Sequence, residues 1–121
     1  MLKNKLYTFA SLEEQDNGKY RVEVTLDPTH TIFEGHFPTQ PVLPGVCLME
    51  ILKEILREVK NKPLNLKSAA NIKYLKTVDP GLDPRLVFEV QVNEEAGELK
   101  VNATSFLQDG SPNFKIKASF T

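Results

Sequence analysis

The stretch Gly35–Glu50 reads GHFPTQPVLPGVCLME and decides how this chain folds. The first part of the stretch is rich in proline, which excludes a continuous helix or a central strand there. Proline suits the first turn of a helix, so Pro44 or Gly45 is the predicted start of a helix that runs to about Lys60. Apolar residues follow at the helical spacing of about 3.6 residues: Val46, Met49, Ile51, Leu52, Ile55, Leu56 and Val59. Charged residues are predicted on the remaining face: Lys53, Glu54, Arg57, Glu58 and Lys60.

Strands are predicted on both sides of this helix. The segment 19–26 alternates apolar and polar residues, which is the period of a half-buried strand. Further strands are predicted at 3–10, 66–76, 85–94, 97–107 and 112–120. One helix among antiparallel strands predicts a single α+β domain over residues 1–121, with the helix on one face of the sheet.

Composition narrows the possible partners and settings. The 121 residues have a formal net charge of −1, so no general attraction to nucleic acid or to an anionic membrane is expected. No signal segment opens the sequence, and no apolar run approaches the roughly 18–20 residues that cross a bilayer. Cys47 is the only cysteine, which excludes an intramolecular disulfide. A reducing, cytoplasmic setting is therefore expected, with Cys47 as a small buried residue.

Lysines recur along the middle of the chain, with acidic residues mixed among several of them. One interpretation is an ordinary solvated surface. The other is a docking surface for an acidic carrier protein. The lysines concerned are Lys53, Lys60, Lys62, Lys67, Lys73 and Lys76.

His36 and Glu50 are the candidate acid–base pair. His36 lies in a stiff apolar loop, where partial desolvation favours a neutral imidazole that can act as a base. Glu50 follows Leu48 and Met49, and apolar surroundings favour a carboxyl group that keeps its proton and can donate it. Elimination of water needs such a base and such an acid. Each residue also has a structural interpretation, as a hydrogen-bonded loop histidine and as a helix-dipole or surface glutamate.

The predicted helix start offers a third chemical group. The first amides of a helix have no intrahelical partners. A thioester carbonyl placed at Gly45 would have its developing negative charge stabilised by these N–H groups and by the helix dipole. Gly45 has no side chain to obstruct that approach. His30 lacks partners at metal-ligand spacing and is predicted to be a surface or loop-packing residue.

The stretch resembles the active-site signature of the 3-hydroxyacyl-acyl-carrier-protein dehydratases of fatty acid synthesis. That signature is Gly-His-Phe-Pro, two variable residues, Pro-Val-x-Pro-Gly-Val, and a Glu four residues later. The matching positions here are Gly35–Pro38, Pro41–Val46 and Glu50, and the His and the Glu are 14 positions apart, as in that family. A weaker resemblance continues through Ile72–Lys76 and Val78–Gly81.

The resemblance implies a hot-dog fold, in which an antiparallel sheet wraps a long central helix, and a homodimer, possibly in a higher assembly of dimers. It implies that His36 of one subunit removes the α proton while Glu50 of the other helps the hydroxyl leave. The Gly45 amide is then expected to polarise the thioester carbonyl of a substrate on an acyl carrier protein. No metal or organic cofactor is implied. The expected acyl tunnel is lined by Phe33, Phe37, Val42, Leu43, Val46 and Met49.

The helix after the glutamate departs from the family pattern. The family typically continues as Glu-Ala-Met-Ala-Gln, whereas this chain continues as Glu50–Glu54 with the sequence EILKE. The acid–base pair is kept, but chain length and pathway, in fatty acid synthesis or in a specialised lipid or polyene pigment, stay open. Two other functions are also considered: a hot-dog thioesterase, and a carrier-binding subunit without turnover. The His-Phe-Pro loop argues against the first, and the presence of both His36 and Glu50 argues against the second.

Overall fold

A computed structural model describes residues 2–34 and 41–121, so the predicted base His36 and the predicted tunnel residue Phe37 lie outside the described residues. The described chain forms one antiparallel six-stranded sheet and one long helix. The elements are β1 (Tyr7–Glu14), β2 (Lys19–Leu26), α1 (Gly45–Lys60), β3 (Leu66–Tyr74), β4 (Arg85–Glu95), β5 (Glu98–Phe106) and β6 (Pro112–Phe120). The predicted α+β class is confirmed.

The strands are ordered β1-β2-β4-β5-β6-β3 across the sheet. Tight turns join the sequential neighbours, and the β4–β5 turn places Ala96 and Gly97 at positive φ values of 52° and 79°. Turns of this kind match the twist of the flanking strands. The strand β3 follows the helix and pairs with β6, so the chain must cross the sheet to place β3 at the edge opposite β1.

The helix α1 buries its apolar stripe against one face of the sheet. Its core residues are Cys47, Leu48, Ile51, Leu52, Ile55 and Leu56, and they meet inward-facing strand residues such as Val22, Val24, Leu86, Phe88, Phe114 and Phe120. The predicted bounds of α1 are confirmed, as are those of β2 and β6. Among the described residues, no helix combines the length and apolarity needed to span a membrane.

Two predictions about the first strand and the helix were wrong, for one shared reason. The strand β1 spans Tyr7–Glu14 instead of 3–10, and the shared reason concerns its start. Glu54, predicted on the charged face of α1, is only 3% exposed. Its carboxylate accepts hydrogen bonds from the backbone N–H groups of Leu2 and Lys3, each at 2.9 Å. These contacts hold the first residues in turns and bury the carboxylate beneath them.

The edge strand β3 is exposed along its whole length. The inner face of the sheet continues from the buried Ile116 and Phe114 of β6 to their register partners Ile72 and Tyr74. Both β3 residues remain exposed, Ile72 at 40% and Tyr74 at 53%. The sheet therefore has an exposed apolar edge, which meets the helix of its own chain only where Tyr74 lies against Gly45.

Candidate active site

Glu50 lies in the second turn of α1 and is half-buried. Residues three and four apart on a helix are neighbours, and Glu50 accordingly lies between Cys47 and Glu54. The buried Tyr7 of β1 is close enough for its hydroxyl to respond to the Glu50 charge. The sequence predicted apolar surroundings for Glu50, but a second carboxyl group and a phenol are part of its environment.

Glu54 and Tyr7 form a buried hydrogen-bonded pair beside Glu50. The Tyr7 hydroxyl donates to Glu54 Oε1 at 2.8 Å. Burial, followed by this hydrogen bond and by the nearby carboxylates, raises the pKa of Tyr7 well above its ordinary range. Burial also acts to raise the pKa of Glu54, but hydrogen bonds from the Leu2 N–H, the Tyr7 hydroxyl and the Lys3 N–H outweigh it, and the Glu54 pKa is lowered. Glu54 therefore stays ionised and Tyr7 stays protonated at neutral pH.

Cys47 is buried one helical turn before Glu50. Burial raises the pKa of its thiol, and the Glu50 charge adds to the effect. A thiol in this state is a poor nucleophile near neutrality. The prediction that Cys47 is a small buried residue is confirmed.

The start of α1 is open to a cavity. Pro44 precedes the helix in an extended conformation and provides no side-chain cap for the first amides. The ring of Tyr74 lies against Gly45, since a Cβ added to Gly45 would be 2.7 Å from Tyr74 Cε1 and 3.1 Å from its hydroxyl oxygen. A cavity of about 360 Å³ opens here, lined by Leu43, Gly45, Val46, Leu48, Tyr74, Lys76, Thr77 and Val78.

The predicted tunnel residues occupy different environments within the described chain. Leu43 is buried, and its N–H donates to the carbonyl of Val78 at 2.8 Å. Phe33 is part of the hydrophobic core, and Met49 packs against that core. Val46 is 72% exposed at the cavity, which departs from its predicted place in the buried stripe of α1. Val42 is half-buried. The cavity therefore brings Leu43, Gly45 and Val46 together, and leaves Phe33 and Met49 in or against the core.

Sequence reasoning missed three residues near this site. The sequence predicts Tyr74 only as part of a strand, because strand periodicity gives no sign of a contact with a glycine 29 positions earlier. The sequence predicts Tyr7 as a strand residue and Glu54 as a surface residue of the helix. His30 matches its predicted loop-packing role, since its Nδ1 accepts a hydrogen bond from the Ile32 N–H at 3.0 Å. Residues 2–34 and 41–121 contain no cluster of His, Cys, Asp and Glu that could hold a metal ion.

Comparison with known proteins assigns the family. A family model described as ApeI dehydratase matches residues 12–111. The chain belongs to the ApeI dehydratase family. The resemblance to the hot-dog dehydratases that the Gly35–Glu50 stretch predicted is thereby confirmed.

Curated proteins similar to this ApeI-family chain carry the name 3-hydroxyacyl-[acyl-carrier-protein] dehydratase FabZ. The protein from Helicobacter hepaticus is 27% identical over 111 residues, which cover 80% of this chain and 64% of that protein. The protein from Rickettsia akari is 40% identical over 57 residues, covering 40% of this chain and 39% of that protein. The chain thus spans less than two thirds of the length of these relatives.

Solved structures share the fold of this ApeI-family chain. One is the dehydratase heterocomplex ApeI:P from Xenorhabdus doucetiae, with a TM-score of 0.74 and 21% identity over 93% of this chain and 95% of that one. Another is a hypothetical thioesterase with coenzyme A from Streptococcus pneumoniae, with a TM-score of 0.67 and 14% identity over 94% and 83% of the two chains. The predicted hot-dog fold is confirmed.

Proposed function

We propose that this chain is a dehydratase that removes water from 3-hydroxyacyl thioesters on an acyl carrier protein and yields trans-2-enoyl thioesters. The observation that carries the proposal is the position of Glu50, half-buried on α1 close to the open helix start at Gly45. Membership of the ApeI dehydratase family supports the same reaction class. The names of the FabZ relatives support the carrier-bound substrate.

In the proposed reaction, His36 removes a proton from the α carbon of the substrate. The negative charge that develops on the thioester oxygen is stabilised by the Gly45 N–H and by the helix dipole. The C–O bond at the β carbon then breaks, and Glu50 supplies the proton with which the hydroxyl leaves as water. The electrons of the broken C–H bond form the new double bond. No metal or organic cofactor takes part in this scheme.

The cavity at the helix start is proposed to receive the thioester end of the substrate. Leu43 and Val46 contribute apolar wall beside Gly45. Phe33, Phe37, Val42 and Met49 are proposed for the acyl tunnel, as the family resemblance implies. A side chain at Gly45 would meet the Tyr74 ring, so glycine is needed at this position for the ring to lie against the helix start.

A homodimer is proposed to complete the site, with His36 of one subunit facing Glu50 of the other. The edge strand β3 supports this assembly. Its unpaired backbone groups and exposed apolar side chains form a surface that a second strand can extend. The ApeI relative is described as a heterocomplex, so a different hot-dog chain is the alternative occupant of this edge. Further association of dimers and a cytoplasmic setting, with Cys47 as a free thiol, stay predictions.

The test uses purified protein with a 3-hydroxyacyl carrier thioester. The expected product is the 2-enoyl thioester, formed reversibly and without release of free thiol. The variants His36→Ala and Glu50→Gln should each lower kcat by at least about a hundredfold, the usual contribution of a general acid or base. Lys19→Gln, at an exposed position at the start of β2, is the control and should keep the wild-type rate.

The outcome also separates the alternatives. Release of free thiol would identify a thioesterase, a class that shares this fold. Binding of the carrier protein without any change in the substrate would identify a carrier-binding subunit. A His36→Ala variant that keeps full activity would contradict the proposed role of His36.

A further inference from the structure

The outer face of the sheet, which points away from α1, changes in charge from one side to the other. On β2 and β4 the charges are mixed, and Arg21 lies directly opposite Glu89. On β6 and β3 they have one sign, since Lys115 lies directly opposite Lys73 and Lys117 is on the same face two positions along β6. All three lysines are exposed. We call Lys73, Lys115 and Lys117 the lysine surface.

The lysine surface has no acidic partner in this chain. Every Asp and Glu of the sequence lies within residues 2–34 and 41–121. The salt bridges among those residues involve Lys3, Lys60, Lys67 and Lys100, and none involves the lysine surface. Its neighbours across β5 are the uncharged Thr104 and Asn102. Like charges placed directly opposite each other on adjacent strands are destabilising, so the fold tolerates a charge cluster that it does not neutralise itself.

The spacing of these lysines suits an extended anionic surface. Neighbouring strands lie about 4.8 Å apart, and residues two apart along a strand are about 7 Å apart. Three ammonium groups on flexible stems can therefore reach several carboxylates spread over a protein surface. The site is a shallow depression on the sheet, lined also by Asn71, Asn102 and Thr104, and not a deep pocket for one small anion.

The lysine surface is the reverse side of the strands that wall the candidate active site. Lys73 precedes Tyr74, and Lys115 follows Phe114. Tyr74 and Phe114 stack on the inner face, with ring centroids 5.3 Å apart, and Tyr74 covers Gly45. Lys76, just beyond the end of β3, lines the cavity. A partner bound to the lysine surface is thus beside the end of β3 where the cavity opens.

We propose that the lysine surface docks an acidic face of the carrier protein that delivers the acyl thioester. This inference rests on the proposed function. It places the carrier protein of the proposed reaction on the outer face of the sheet. The net charge of −1 gives the whole molecule little attraction to a polyanion, so recognition depends on this local cluster. Charges at the rim of such an interface mainly set the association rate and its dependence on salt.

The test compares Lys115→Glu/Lys117→Glu with Lys5→Glu/Lys19→Glu. Both double variants change net charge equally, and the control lysines are exposed residues outside the lysine surface. Each variant is assayed with one 3-hydroxyacyl group on two thiols, the carrier protein and N-acetylcysteamine. The first variant should raise KM for the carrier-bound substrate about tenfold and weaken the salt dependence of kcat/KM. Both variants should keep wild-type kinetics with the small thioester.

Three results would overturn the docking surface: an unchanged KM for the carrier-bound substrate, an equal rise in the control variant, or an equal loss with the small thioester. If the wild-type protein turns over neither substrate, the proposed function fails. The docking surface is then tested by calorimetric titration with the acylated carrier protein. Weaker binding in the Lys115→Glu/Lys117→Glu variant alone supports it, and equal or absent binding in all proteins refutes it.

Discussion

The two edge strands of the sheet, β1 and β3, differ in how their inner faces are covered. Residues of the same chain close the β1 edge, where Lys3 lies over the Phe9 ring at 5.2 Å and Glu54 holds the backbone of Leu2 and Lys3. No described residue closes the β3 edge, and all its positions are exposed. The large apolar residues exposed there and just beyond are Leu66, Ile72, Tyr74 and Leu75, against Leu12 alone on β1.

The β1 edge is therefore closed within the chain, whereas the β3 edge is suited to association with another chain. A carboxylate that accepts three hydrogen bonds ties the first residues to α1 and so protects β1. At the other edge, the middle of β3 contains the small residues Ser68, Ala69 and Ala70, which allow a second backbone to approach closely. Glu50 is close to Tyr7 of β1, and the helix start at Gly45 contacts Tyr74 of β3, so each edge can affect the proposed site in its own way.

The largest effect is expected from a charge placed on β3. Ile72 is 40% exposed and Leu12 on β1 is 39% exposed, so the two positions form a matched pair. Ile72→Lys should weaken self-association by on the order of a hundredfold, because an unpaired charge would be buried between subunits. The dehydratase activity should fall in parallel, since His36 of one subunit would no longer face Glu50 of the other. Analytical ultracentrifugation and the enoyl assay at micromolar protein measure both quantities.

The matched variant Leu12→Lys should keep the assembly and the activity of the unaltered chain. Loss of association in both variants would show that the effect of Ile72→Lys is a general loss of stability. If the Ile72→Lys variant dimerises as tightly as the unaltered chain, β3 is excluded as the interface.

A smaller effect is expected from substitution of Glu54, which holds the first residues over the β1 edge. Glu54→Ala leaves the Tyr7 hydroxyl and two backbone donors without their acceptor, and should lower the free energy of unfolding by about 2–4 kcal/mol. Glu54→Gln keeps one acceptor oxygen but turns its NH2 group toward a donor, so it should cost less than Glu54→Ala, about 1–2 kcal/mol. Urea unfolding followed by circular dichroism measures both. An equal cost for the two variants would mean that the negative charge of Glu54, and not its hydrogen bonding, protects β1.

The smallest effect is a change in how stability depends on pH. The Glu54 pKa in the folded chain is lowered, because the hydrogen bonds to its carboxylate outweigh its burial. The unfolded chain then binds the proton more tightly, so Glu54 stabilises the fold above the ordinary pKa of a glutamate, and this contribution is lost as pH falls through the lowered value. Unfolding measured between about pH 3 and pH 7 should vary less steeply with pH in Glu54→Gln than in the wild-type chain.

The lowered pKa values of Asp27, Glu98 and Asp109 are present in both proteins, so their effects cancel in this comparison. Identical pH profiles for the two proteins would show that Glu54 titrates alike in the folded and unfolded chain.

Local sequence patterns predicted the parts of the fold that short-range physics controls. The start of α1 at Gly45 follows from the geometry of proline, and the bounds of β2 and β6 follow from period-2 alternation. The same rules failed at residues 3–6, because what holds these residues out of a strand is a glutamate about 50 positions away. Tyr74 was missed for a similar reason, since its contact with Gly45 arises only when β3 crosses to the edge beside the helix start.

The sequence by itself determined the family, the α+β class and the acid–base candidates, because the spacing from Gly35 to Glu50 is a local property of the chain. Only the tertiary structure decided which charged residues are buried, which edge is covered and which lysines share one face. These features depend on contacts between residues far apart in sequence, and neither helical nor strand periodicity records such contacts. One such feature is the register of β3 on β6, which places Lys73 opposite Lys115 and so forms the lysine surface.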